Sequence, residues 1–157
     1  MNTVLPPALR VGYFESARRH FQDANALLGS SRQANAGHLF GVAAECGIKA
    51  LLVASRVPVD DEGSIDRLPN VRGKGFKEHM PNLAQALKDL MGNIPDSRRA
   101  TTYLSTLHDL EQFSDWRVEH RYWRDSVLPL GSIVGWQSAA VEVMTVLDQA
   151  KEDGVLQ

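Results

Sequence analysis

The stretch from 32 to 55 constrains the fold more than any other part of the chain. At helical spacing, Leu39, Val42, Cys46, Ile48, Leu51, Leu52 and Val53 spread over more than one narrow stripe, with Gly41, Ala43, Ala44 and Gly47 among them. A helix that is apolar on several sides has to be covered on several sides. The segment therefore predicts a deeply placed element, either the central helix of a bundle or a subunit interface, whose small residues let neighbouring backbones approach closely.

Around it the chain reads as further helices. Over 13–28, Phe14, Ala17, Phe21, Ala24 and Leu28 recur at spacings of three and four with Arg18, Arg19 and Asp23 between them, an amphipathic pattern. Gly29, Ser30 and Ser31 supply a stop and a new N-cap, and so short a loop predicts antiparallel neighbours. A third helix is expected from Pro81 through Leu83, Leu87 and Leu90 to Gly92. Asp96 or Ser97 caps a fourth, with Ala100, Tyr103, Leu104, Leu107 and Leu110 on one face, and a last helix is expected over 132–151. No segment shows sustained strand alternation. The expected fold is all-α, a four- to five-helix up-and-down bundle forming one domain over 1–157.

Between 57 and 78 lie three glycines, two prolines, the acidic trio Asp60, Asp61 and Glu62, and the basic residues Arg67, Arg72, Lys74 and Lys77. This is expected to be a mobile loop, since long connections without regular structure are uncommon inside compact domains.

A net charge of −2 excludes the strongly basic field of a protein that coats nucleic acid, so any RNA contact has to be local. Cys46 is the only cysteine, which excludes an intrachain disulfide and a multi-thiolate metal site and fits a reducing compartment. The first ten residues show no basic region followed by a long apolar run, and the uncharged stretch 126–141 is broken by Pro129, Gly131 and Gly135. A cytoplasmic protein without a membrane segment, cofactor or metal is expected.

Two places carry candidate chemistry. Trp116, Tyr122 and Trp123 alternate with Arg117, Arg121 and Arg124, and aromatic rings among arginines either stack on bases and grip phosphates or pack into a core or interface. Glu45 lies on an apolar helix face, where a carboxylate needs a partner; Lys49 is one turn onward and Arg121 is a candidate across the bundle. That pair serves structure or shapes a nucleotide pocket.

Taken together, the run Ala36-Gly37-His38-Leu39-Phe40-Gly41-Val42-Ala43-Ala44-Glu45-Cys46-Gly47-Ile48-Lys49-Ala50-Leu51-Leu52 and the run Asp115-Trp116-Arg117-Val118-Glu119-His120-Arg121-Tyr122-Trp123-Arg124-Asp125 resemble the HEPN family. The first resembles that family's second helix, with an acidic residue ahead of an apolar-Lys-Ala-Leu-Leu stretch. The second is similar to its Arg-Tyr-Pro-Asp junction before the final helix, with Trp123-Arg124 in place of the proline. The resemblance covers roughly 14–151.

It implies a dimeric helical bundle that is either a metal-independent ribonuclease toxin or a non-catalytic module binding nucleotide or RNA beside a partner such as a nucleotidyltransferase. In the nuclease members an Arg and a His with four to six residues between them meet in a cleft shared by two protomers. Here His120 is in place, Asp115 stands where the leading arginine belongs, and Arg117 and Arg121 are nearby but out of register. The resemblance thus implies His120, Arg117 and Arg121 as catalytic candidates, and Trp116, Arg121, Tyr122, Arg124 and Glu45 as nucleotide or RNA contacts. Binding without robust cleavage is the expected function, with an active endoribonuclease and a dimerisation scaffold as alternatives. By spacing alone Arg32–His38 and Arg72–His79 also fit the motif, but about one such pair is expected by chance among twelve arginines and five histidines.

Overall fold

The computed structural model describes residues 10–65 and 76–156, and within them the chain is all-α. Five α-helices follow in order: α1 (Tyr13–Gly29), α2 (Gln33–Ala54), α3 (Asn82–Leu90), α4 (Ser97–Leu104) and α5 (Ile133–Glu152). Short 3-10 turns fill the run from α4 to α5, at Leu110–Asp115, Val118–Tyr122, Asp125–Val127 and Leu130–Ser132.

α2 is the centre, as its apolar breadth requires. α1 and α5 pack along it, and Ala36, Phe40, Ala43, Ala44, Ile48, Leu51 and Leu52 are all buried. Phe21 of α1 meets Phe40 edge-on, as expected of antiparallel neighbours joined by a three-residue turn. Gly37 faces Trp136 and Ile133, whereas Gly47 faces Val143 and Leu147, so α2 and α5 run parallel. The glycines of α2 thus seat bulky side chains; they do not bring two backbones together, as the sequence suggests. Arg18 on Asp148 (3.1 Å) and Gln137 on Asn25 (3.0 Å) tie α1 to α5 in antiparallel register.

The turn between α1 and α2 differs from expectation. Ser31 takes a left-handed φ of 60°, and the N-cap of α2 is Arg32, with no side chain capping the helix. α4 is shorter than predicted, although Asp96 caps it as expected by accepting from Arg99 N (3.3 Å). The hydroxyls of Ser105 and Thr106 turn back onto carbonyls of the last turn, and Glu142 of α5 accepts from the amides of His108 (2.7 Å) and Asp109 (3.0 Å). Both compete with helix continuation, so Leu107 and Leu110 reach the core from a turn.

The described ends of the 57–78 segment are packed: Val57, Ile65 and Phe76 are buried, and Tyr13 Oη accepts from Ile65 N (2.9 Å). Residues 66–75, with Arg67, Arg72 and Lys74, lie outside the described residues.

Two helical stretches, Gln33–Ala54 and Leu130–Glu152, are long and apolar enough to cross a membrane by length and composition, a test that the sequence reading of 126–141 did not reach. For α2 that apolarity is taken up by α1 and α5, with Glu45 and Lys49 paired in its middle.

Candidate functional site

The turn from 115 to 125 wraps over the N-terminal half of α2 and the start of α5. Trp116 is its anchor: fully buried, its indole covers Gly41, donates from Nε1 to Gly37 O (3.2 Å) and stacks on His38 at 5.5 Å. A ring with no exposed face cannot stack on a base, so Trp116 is corrected from an RNA contact to the peg holding the turn to α2.

Asp115 is the second fixture. Oδ1 accepts from Trp136 Nε1 (2.9 Å) and Oδ2 from the Ser132 hydroxyl at the N-cap of α5, where a negative charge also suits the helix dipole. An arginine at 115 has no acceptor to offer Trp136, so the departure from the nuclease pattern has a structural use.

His120 comes off the 3-10 turn and points inward, 6% exposed, with Trp123 edge-on at 4.5 Å and Trp136 at 5.8 Å. His38, one helical turn after Ala34, lines the same small cavity of about 10 Å³, room for a single water. Nδ1 of each imidazole is buried without a hydrogen-bond partner, an arrangement that native proteins rarely keep without a use. Burial lowers both pKa values below 6.5; Arg121 and His120 add to the effect at His38, while at His120 Asp115 works against it.

Because these imidazoles take up protons less readily folded than unfolded, the unfolded chain binds more protons as the pH drops through 6.5, and the fold loses stability. Melting temperature should therefore fall from pH 7 to pH 5 and fall less in His120→Gln; equal slopes in the two proteins would refute this.

The remaining predicted residues face outward. Arg117, Arg121 and Arg124 are exposed, Tyr122 is 76% exposed and Trp123 41%. The Arg121 guanidinium lies 4.9 Å from the centre of the Tyr122 ring. Arg121 is therefore not the partner of Glu45, which corrects that expectation. Glu45 takes Lys49 Nζ (3.3 Å), His79 Nδ1 (3.1 Å) and the Met80 amide (3.0 Å), and so closes the far end of the 57–78 segment onto α2. It contributes to the fold.

His38 is the residue that the sequence reading passed over. The Arg32–His38 spacing drew attention to it and chance matching dismissed it, yet the fold places it beside His120. Among the described residues no three His, Cys, Asp or Glu side chains converge as a metal site. A cleft of about 820 Å³ between α3 and the 104–114 turn holds none of the predicted residues. No family model, curated protein or solved structure matches the chain.

Proposed function

We propose that the chain is a HEPN-type module that binds single-stranded RNA or nucleotide in the cytoplasm, as a homodimer beside a partner protein such as a nucleotidyltransferase. The observation that carries this reading is the exposed ridge at 121–124, where an open Tyr122 ring with a guanidinium against it stands beside Trp123 and Arg124. Rings with free faces take bases and the arginines take phosphates, a local basic site on an otherwise acidic chain. A pure scaffold has no need of it.

For the dimer the support has moved. α2 is covered within one chain, but six of the seven large apolar residues exposed among the described ones fall between 122 and 141. Val134 and Val141, seven residues apart and so on one face of α5, are exposed, as are Val127 and Leu130 in the turn before it. Light scattering at tens of micromolar checks it.

RNA affinity is measured by anisotropy with a labelled single-stranded oligoribonucleotide. Tyr122→Ala and Arg121→Ala should each weaken it about 5- to 100-fold, the range of one stacked base or one charged phosphate contact, without moving the melting temperature. Wild-type protein that binds neither RNA nor nucleotide would favour the scaffold.

The nuclease reading has one observation on its side, the two imidazoles with free Nδ1 atoms in one cavity. Against it, Trp123 and Trp136 wall His120 from solvent, and a general acid or base must reach the reacting proton. Binding without cleavage is the expected result. RNA cleavage that survives EDTA and disappears in His120→Ala would overturn it.

A further inference from the structure

From 117 to 131 the chain runs over the surface between two fixtures, Trp116 in its pocket on α2 and Ile133 at the start of α5. Asp115 and Ser132 join the two ends by a hydrogen bond, so the stretch is a loop closed at its neck. His120 is its one buried side chain; Val118, Leu128 and Pro129 are half-buried and the rest are exposed. Its backbone hydrogen bonds close its own turns, with His120 N on Arg117 O (3.1 Å), Trp123 N on His120 O (3.1 Å) and Val127 N on Arg124 O (3.0 Å). Among the described residues, none of its side chains makes a hydrogen bond or ion pair with the helices.

One imidazole is therefore the main seat of this loop on the bundle. His120 reaches the cavity of about 10 Å³ that His38 of α2 also lines, and Nδ1 of each ring is buried without a partner. Trp116 stacks on His38, and Trp123 and Trp136 flank His120, so the chain's three tryptophans all lie against the pair. Neutral imidazoles suit such a place. Two imidazolium ions do not, since a space for one water cannot solvate both.

The surrounding charges can be named element by element. His38 faces Arg121 and His120 of the loop and His20 of α1, each of which disfavours a cation there when charged; Glu45 of α2 favours one, but its carboxylate is engaged by Lys49, His79 and Met80. His120 faces Arg117, which disfavours a cation, and Glu119 and Asp115, which favour one; Asp115 is held by Trp136 and Ser132. α5 brings Trp136 and Ile133 to the cavity and the turn before it brings Leu128, Pro129 and Leu130, none of them charged. Burial is the largest influence on both rings and holds each below the usual 6.5.

We propose that His38 and His120 form a proton-operated latch: with both rings neutral the loop lies on α2 and α5, and protonation of the pair lifts it, carrying the ridge at 121–124 off the bundle while Trp116 and the long helices stay in place. The release itself needs nothing of the RNA reading; its effect on RNA affinity rests on that reading.

Lifting exposes both imidazoles, and each then takes up a proton that it lacks in the closed form. Below pH 6.5 and above the folded values, the ratio of open to closed loop should rise by up to about 100-fold per pH unit with two imidazoles and about 10-fold with one. The ratio is read in the full chain by NMR, from amide exchange at His120, Trp123 and Val127 between pH 7.5 and pH 5, corrected for the intrinsic rate at each pH. The amides of Phe40 and Ile48 in the middle of α2 report global opening.

The wild-type loop should open steeply in acid while the α2 amides stay protected, and tryptophan emission should shift to the red over the same pH range. His38→Gln and His120→Leu should each show about the one-proton slope, and the double variant none. His38→Gln leaves the loop's own anchor in place, so it decides the matter even if His120→Leu does not fold. Opening that does not depend on pH, a slope unchanged in His38→Gln, or loop amides that exchange only together with those of α2 would overturn the proposal.

RNA affinity should fall in acid in step with the closed fraction, although the added positive charge would by itself raise it. If the wild type binds RNA and the loop stays shut from pH 7.5 to pH 5, the latch alone fails. If the loop opens in acid but RNA is not bound at neutral pH, the RNA reading alone fails.

Discussion

Replacing Gly41 with alanine should destabilise the protein by about 1–5 kcal/mol, although the same change in an open helix is worth about 1 kcal/mol in the other direction. A Cβ at this position would sit 2.0 Å from Trp116 Cε2 and 2.3 Å from Nε1. These are atoms of a rigid ring with no exposed surface, so the indole has to leave and take the hydrogen bond to Gly37 with it. Overpacking and a stranded buried N–H each cost about 1–3 kcal/mol, which together outweigh the gain in helix propensity. Thermal melting decides the sign. An alanine that stabilises would show that Trp116 does not lie over α2, whereas the expected loss should shrink when Trp116→Leu is added, because the two side chains compete for one space.

Glu45→Gln should cost a similar amount. The carboxylate is buried among an ammonium, an imidazole and a backbone amide, and a neutral amide leaves Lys49, itself only 8% exposed, without its counter-charge. Breaking one side of a buried pair typically costs ~3–5 kcal/mol, which for a chain of this size lowers the melting temperature by roughly 10 °C. Adding Lys49→Met removes the stranded charge and should restore part of the loss, while RNA binding in the folded fraction stays unchanged. A single variant that melts within about a degree of the wild type would mean that the contacts to His79 and Met80 do not hold the far end of the 57–78 segment and that Lys49 does not depend on Glu45.

Most of the helical framework was legible because it follows from period and caps. The widths of the apolar stripes on α1, α2 and α5 are local properties of 3.6-residue repeats, and Asp96 announces α4 by its side chain. The end of α4 was legible only in part, since beside the local hydroxyls of Ser105 and Thr106 one of the groups that compete with its continuation, Glu142, is more than thirty residues downstream. The site was legible in part for the same reason. Tyr122, Arg121 and Arg124 advertise an exposed basic and aromatic ridge wherever the turn lies. That Trp116 turns inward while Tyr122 turns outward depends on Gly41, and no spacing rule connects residues that far apart. His38 lies beside His120 only because α2 and the 115–125 turn meet, and Glu45 chose His79 over Arg121 by the route of a segment whose pattern carries no period.

The parallel pairing of α2 with α5 fixes an order of assembly. α1 and α2 are neighbours in sequence and can form a hairpin as soon as both exist, but the pockets on α2 at Gly37, Gly41 and Gly47 are filled by Trp136, Trp116 and Val143, some 75 to 100 residues later. Until those residues arrive, the hairpin presents the most apolar helix of the chain with one side open, a surface that invites premature contacts between nascent chains. The last partners to reach α2 also hold the 115–125 turn, so the exposed ridge at 121–124 takes its place only as the core closes.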